Sequence, residues 1–441
     1  MASSNGCLHG YFVDDRALHK LLTVKETINM LVMLIRVSIV AWPASSQPLP
    51  VLVPVTKDPA TSLYTLPFNY GANLVVDIAG PLVWSTCQPG HLPAKFPCTF
   101  PTCRLANAYP VPGCHEPGCE QDRRKDGTCT AYTYNPVTGV CASGSLDRTR
   151  FVANTTDGSN PVRQVNVRAV AACAPETLLA SLPRGSTGVA GLAGSGLALP
   201  AQVASTQKVT NKFLLCLPGL GEGNGVAIFG GGPLQLTAQP GVDYTQELVY
   251  TPLVAKQGNP AHYVSVESIA VEGARVPVPA RALATGGVVL SSTKAHFTLL
   301  RRDVYRPFVD AFAKALVQQG GPVARAVKPV APFELCYDTR SLANTRTGYW
   351  VPDISLALEG GMNYSMNGLL SMVNVPGDAA CLAFAEMKGV KAGDGSAPAV
   401  IIGGFQMENV LLEFDMEKKR LGFFRLPFFT RCGHFNFTRT G

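Results

Sequence analysis

The chain has 441 residues, enough for one large domain or two medium ones around a sizeable core. Charged residues make up only 15% against 46% hydrophobic, and 43 Gly with 34 Pro favour strands joined by many tight turns. The net charge of +7 is mild and spread along the chain, which argues against a nucleic-acid partner.

Residues 1–46 read as an N-terminal extension and signal peptide that the working protein lacks. "MLVMLIRVSIVAWPASS" (30–46) has an apolar core followed by small residues. Ala44 and Ser46 stand at −3 and −1 of a cut before Gln47. The long lead before this run is explained by a true start nearer Met30 or Met33. The run is too short and too broken for a membrane span, so the mature form is expected to have no membrane segment.

The remainder divides into two similar halves, 47–250 and 251–441. The first opens with "SLYTLPFNYGANLVVDIAGPLVW" (62–84): strand, Gly turn, strand, then a turn carrying Asp77. A Cys-rich stretch follows. Cys87, Cys98, Cys103, Cys114, Cys119, Cys129 and Cys141 have irregular gaps and no His cluster, which fits disulfides rather than zinc. Without Cys7, an even set of 12 remains, completed by Cys173, Cys216, Cys336, Cys381 and Cys432. No metal or cofactor is expected, and the cysteines call for an oxidising compartment. Asn154, Asn363 and Asn436 head N-x-[ST] tripeptides, consistent with secretion and glycosylation.

"STGVAGLAGSGLALPAQVA" (186–204) is a late apolar strand ending near glycines, and "LALPAQVAST" (197–206) a short helix. The second half repeats the order. "HYVSVESIAVEGARVPVPARALATGGVVLSSTKAHFTLL" (262–300) carries strands, a "VEGAR" hairpin turn, and "GVVL" running into small polar residues. "APAVIIGGFQMENVLLEFD" (397–415) matches the late strand. The spacing of Val304, Phe308, Ala311, Phe312 and Ala315 predicts a helix over 301–319, with Pro307 in its early turns. A duplication at long period predicts two β lobes with a cleft between them and few helices.

The phrases "VVDIAGPLVWSTC", "LLASLPRGSTGVAGLAGSGLALPAQVAS", "KFLLCLPG", "VAIFGGGP", "VPVPARALATGGV", "CYDT" and "MEKKRLGF" carry a resemblance. The chain resembles plant pepsin-like proteins, and within them the TAXI-type xylanase inhibitors of cereals. The resemblance runs from Leu49 to the C-terminus. It implies an all-β, bilobal pepsin-like fold, a monomer, extracellular secretion to the apoplast or cell wall, and six disulfides. It also implies a protein partner, a microbial endoxylanase of the jelly-roll type.

Aspartic proteases need two carboxylates close enough to share a proton. The first turn, Asp77-Ile78-Ala79-Gly80, keeps the aspartate, but Ile78 offers no hydroxyl. The second turn, after "GGVVL", is Ser291-Ser292-Thr293-Lys294, with Ser291 where the second aspartate belongs. The chain is therefore expected to be proteolytically inactive. Ser291 as a serine nucleophile would need a His base and an orienting acid; His296 and Asp303 follow in sequence, but no G-x-S-x-G elbow surrounds it. Tyr134 occupies the place of a flap tyrosine, with Asn135-Pro136 after it and Cys129 and Cys141 on either side.

The resemblance points to two xylanase-binding segments. One is Lys294, Ala295, His296 and Phe297; the other is Phe428, Phe429, Thr430 and Arg431. In well-inhibiting relatives a histidine stands where this chain has Phe428, and a leucine where it has Ala295. Lys294, His296 or Arg431 would then have to supply charge to a carboxylate-lined cleft. The other readings are a non-inhibitory storage or ligand-binding globulin, an inhibitor of another glycoside hydrolase such as a xyloglucanase, and a residual aspartic endopeptidase.

Overall fold

Two three-strand units with the same wiring organise the molecule. In the first half Asn73–Asp77 runs parallel to Gly188–Gly191, with Val83–Thr86 antiparallel to the latter. In the second half Val288–Leu290 runs parallel to Val400–Ile402, with Thr298–Leu300 antiparallel to it. A further parallel pairing recurs too: Val83–Thr86 with Pro161–Ala174, and Thr298–Leu300 with Phe384–Glu386. The computed structural model describes residues 48–86, 96–111, 113–114, 127–320 and 323–438. The leader expected over residues 1–46, Cys87 and Cys119 lie outside the described residues.

The halves share one antiparallel sheet. Its order is Val51–Lys57, Gly225–Phe229, Lys212–Cys216, Val410–Asp415, Arg420–Arg425 and Val249–Lys256. The seam lies between Lys212–Cys216 and Val410–Asp415. The join expected after residue 250 falls inside the strand Val249–Lys256, which pairs with Arg420–Arg425. Both faces of this sheet are covered, so its strands read as apolar runs rather than alternating ones. Phe213, Leu215, Leu412 and Phe414 face the main core, where Phe213 stacks on Phe414 at 4.6 Å. Leu214, Cys216 and Leu411 face the opposite side, closed by Tyr244, Phe435 and Cys432.

Helices are few. Arg302–Gln318 buries Val304, Tyr305, Phe308, Val309 and Phe312. Ala311 and Ala315, predicted on that stripe, only lie against it. Pro307 stands inside the helix, deeper than the first turn, so it removes one helical hydrogen bond. Leu199–Gln207 ends at Lys208 in the left-handed region, φ 61°. Pro101–Ala106 and Gly368–Ser371 are short helices that no periodicity announced. Among the described residues no helix is long and apolar enough to cross a membrane.

Four disulfides join described residues: Cys103–Cys129, Cys114–Cys141, Cys216–Cys432 and Cys336–Cys381. Cys98 and Cys173 are disulfide-bonded as well.

Candidate functional site: a cleft and a neighbouring docking segment

Asp77 ends its strand beside Gly191. In the other half Leu290 lies beside Ile402, and Ser291 N donates to Ile402 O at 3.0 Å, so Ser291 follows its strand at the equivalent turn. Close backbone approach makes the glycines necessary. A Cβ at Gly191 would lie 2.4 Å from Gly80 O, and one at Gly403 would lie 2.5 Å from the Phe297 carbonyl carbon.

The second turn braces the first. Ile78 N donates to Ser292 Oγ at 3.2 Å, and Ser292 Oγ donates to Val76 O at 2.5 Å. Thr293 Oγ1 donates to Asp77 Oδ1 at 3.0 Å, and Ala79 N to the same oxygen at 3.2 Å. Burial still pushes the Asp77 carboxyl above its ordinary range. Thr293, the Ala79 N–H and the Lys294 charge only partly offset it. Asp77, Ser291 and Lys294 share a cavity of about 350 Å³ with Trp84, Tyr132 and Tyr134. Asp77 is the one carboxylate among the described residues that line it.

The Tyr134 phenol is raised by burial and by the Asp77 charge. Its hairpin is locked. Trp84 Nε1 donates to Tyr134 O at 2.9 Å. Asn135, fully buried, donates to Leu178 O and Ala180 O, both at 2.8 Å, and accepts from Val137 N and Thr138 N. The flanking cysteines pair not with each other but with Cys103 and Cys114. The sequence shows Asn135 only as the residue after the flap tyrosine; an Asn-Pro turn signals such a lock.

The candidate loop after Ser291 is largely turned inward. Lys294 is exposed into the cleft. Ala295 is 5% exposed and packs with Tyr263, Val289 and Met387, which rules it out as a surface contact. Phe297 packs against Phe333 and Phe405. His296 is pushed down to about 4 by burial and by the Lys57 charge, so in the free protein it is neutral at pH 7. No Ser291 triad forms either: Ser291 Oγ accepts from Lys294 N, and Asp303 pairs with Arg301 at 2.6 Å.

The C-terminal segment presents different chemistry. Phe429 is 73% exposed, and its ring meets Phe428 edge-on at 4.7 Å. Thr430 is fully buried, its Oγ1 3.3 Å from Tyr244 OH, so it too is removed from the candidate contacts. Arg431 is a brace: its Nε lies 3.0 Å from Glu222, and Nη1 donates to Phe428 O at 2.8 Å. Of the possible glycan acceptors, Asn363 is exposed on the strand Met362–Met366. Asn154 is half-buried in the strand Cys141–Thr156, and Asn436 donates to Asn160 at 2.6 Å.

Duplicated β units around a cleft, joined by a shared sheet, define a pepsin-like bilobal β protein. Residues 64–231 match the family model described as "Xylanase inhibitor N-terminal", and residues 261–425 match "Xylanase inhibitor C-terminal". The chain belongs to this TAXI-type xylanase-inhibitor family. It is 46% identical to "Chitinase CLP" of Oryza sativa subsp. japonica, over 96% of this chain and 99% of that one. It is 31% identical to "Gamma conglutin 1" of Prunus dulcis, over 89% of this chain and 90% of that one. The solved structure "Crystal structure of edgp" superposes with a TM-score of 0.77 at 30% identity, covering 90% of this chain and all of that one.

Proposed function

We propose that the protein is a secreted, proteolytically inactive inhibitor of a microbial glycoside hydrolase, with a jelly-roll endoxylanase as target, and that it docks through Phe428–Phe429. The observation that carries this reading is the exposed Phe429, held edge-on by Phe428 on the segment to which the resemblance points. A large exposed aromatic is the side chain that anchors protein interfaces and stacks on sugar-binding rings. The disulfides support an oxidising, extracellular setting.

Hydrolysis fits the cleft poorly. Peptide hydrolysis of the pepsin type needs a coupled carboxylate pair, and glycoside hydrolysis commonly needs two carboxyls about 5–9.5 Å apart. The Asp77 carboxyl, held up by burial, has a hydroxyl at the equivalent turn. The name of the rice relative therefore does not carry over as an activity of this cleft. A second reading, a non-inhibitory globulin, is favoured by the burial of Ala295 and Thr430, which shrinks the binding surface.

The test is an inhibition panel of jelly-roll and barrel-type xylanases and a xyloglucanase, each assayed with the purified protein. Stoichiometric loss of activity in one of them supports the proposal. Full activity in all of them leaves the globulin reading.

A further inference from the structure

Beside the Phe428 segment lies a second cavity of about 350 Å³, bounded by Leu220, Glu222, Asn367, Leu369, Arg425 and Phe428. We propose that Arg425 is a carboxylate receptor, and that this groove takes an acidic side chain of a protein partner whose neighbouring apolar surface covers the groove's rim. The proposal rests on the reading of the protein as an inhibitor for its biological partner, but not for the receptor chemistry.

Of the four charged residues that line the groove, Glu222, Glu408 and Arg431 are paired and Arg425 is left over. Glu222 accepts from Arg431 Nε at 3.0 Å, Asn409 Nδ2 at 2.7 Å and Gly219 N at 2.9 Å. Glu408 accepts from Lys57 Nζ at 2.5 Å and Tyr64 OH at 2.6 Å. Arg425 is half-buried at the end of the strand Arg420–Arg425; its backbone pairs with Val410, but its guanidinium has no hydrogen bond or ion pair with any described residue. Burial pushes its guanidinium pKa down; Asp353 and Tyr364 offset this only through space, and Arg431 adds to it by repulsion.

The contrast with Arg301 is direct. That arginine, fully buried, makes five hydrogen bonds, to Asp303, Thr285 O, Asp394 O and Ala282 O. A guanidinium taken partly from water regains its lost hydration best from a carboxylate, bound two-pronged. Among the described residues no group does this for Arg425.

The rim supplies the rest of an interface. Leu220 is 60% exposed and Leu369 is 40% exposed, and Phe428 carries the exposed Phe429 beside them. Apolar anchors around a charge that becomes desolvated on contact form the pattern of a binding hot spot. An excess positive charge on the chain as a whole, +7, suits an acidic partner. The two other candidate cations lie elsewhere or are engaged: Arg431 is braced, and Lys294 faces the other cleft.

The experiment has two arms. In the first, the protein with ¹³C-labelled leucine methyls is titrated with the peptides Ac-Phe-Glu-NH2 and Ac-Phe-Gln-NH2. The expected result is a saturable shift of Leu220 and Leu369 with the Glu peptide, weaker by roughly 30-fold with the Gln peptide. Arg425→Met should abolish the shift, Arg425→Lys should keep part of it, and melting curves of both should match the wild type. Equal response to the two peptides, no response, or an unaffected Arg425→Met would overturn the assignment. In the second arm, Arg425→Met is assayed against any hydrolase that the wild type inhibits. A loss of roughly 30-fold supports the receptor, and undiminished inhibition refutes it. If no hydrolase is inhibited while the Glu peptide binds, the inhibitor reading fails and the receptor stands.

Discussion

Asp77 sits in a turn built for a charge it has difficulty carrying. Two donors hold its Oδ1, yet burial dominates and raises its pKa. A carboxyl raised in the folded state contributes stability fully below its unfolded pKa, and that contribution is lost as pH rises through the folded value. Asp77→Asn should therefore flatten this part of the pH dependence, gaining stability relative to the wild type at pH 7 compared with pH 4. Urea melts at both values check it; an equal change at the two pH values would contradict it. Phe429 poses the opposite case, a side chain whose loss the fold should barely notice. Phe429→Ala should change unfolding stability by less than about 0.5 kcal/mol, while weakening binding to an inhibited hydrolase by roughly 30-fold. Thermal melts and inhibition titrations separate the two effects.

At the level of elements, the last segment of the chain is tied back to the shared sheet. Cys432 bonds Cys216 across 216 residues of sequence and closes the apolar layer around Tyr244 and Phe435. Opening so long a loop by Cys216→Ala with Cys432→Ala should cost roughly 3–5 kcal/mol, and should loosen the Phe428 segment that precedes Cys432. Denaturant unfolding measures the first effect and hydrogen exchange of residues 426–435 the second. The hairpin Ile354–Leu358 with Met362–Met366 exposes Asn363, whereas Asn154 and Asn436 are half-buried or engaged. A secreted product should therefore carry its glycan at Asn363. Deglycosylation should shift the mass of the wild type, and Asn363→Gln should remove that shift.

Across the whole molecule, the repeated pattern was legible because strand, turn and glycine recur together. "NLVVD" with "GVAG", and "VVL" with "VII", are the parallel pairs at the two turns. The long helix showed its 3.6-residue stripe, and Phe428–Phe429 stood out as aromatics after Leu-Pro. What sequence could not give depends on contacts far apart along the chain. Ala295 and Thr430 look like loop residues, but Met387 and Tyr244 cover them. His296 looked like a cation until its burial beside Lys57 was seen. Arg425, at the end of "RLGFFR", reads as an ordinary strand-end charge; that its guanidinium is left unbonded appears only once Glu222 and Glu408, the carboxylates lining the groove, are seen to be paired. The flap's stiffness likewise lies in Asn135, whose four side-chain hydrogen bonds include two to carbonyls more than 40 residues away.

The central claim is that a protease-like scaffold here binds a hydrolase and cleaves nothing. The most direct measurement is xylanase activity titrated with the purified protein, with intact mass of both chains followed through the incubation at acid pH. The account predicts that a jelly-roll xylanase loses activity at an equimolar ratio while both masses stay unchanged. Full xylanase activity throughout, or peptide fragments that vanish with Asp77→Asn, would contradict it.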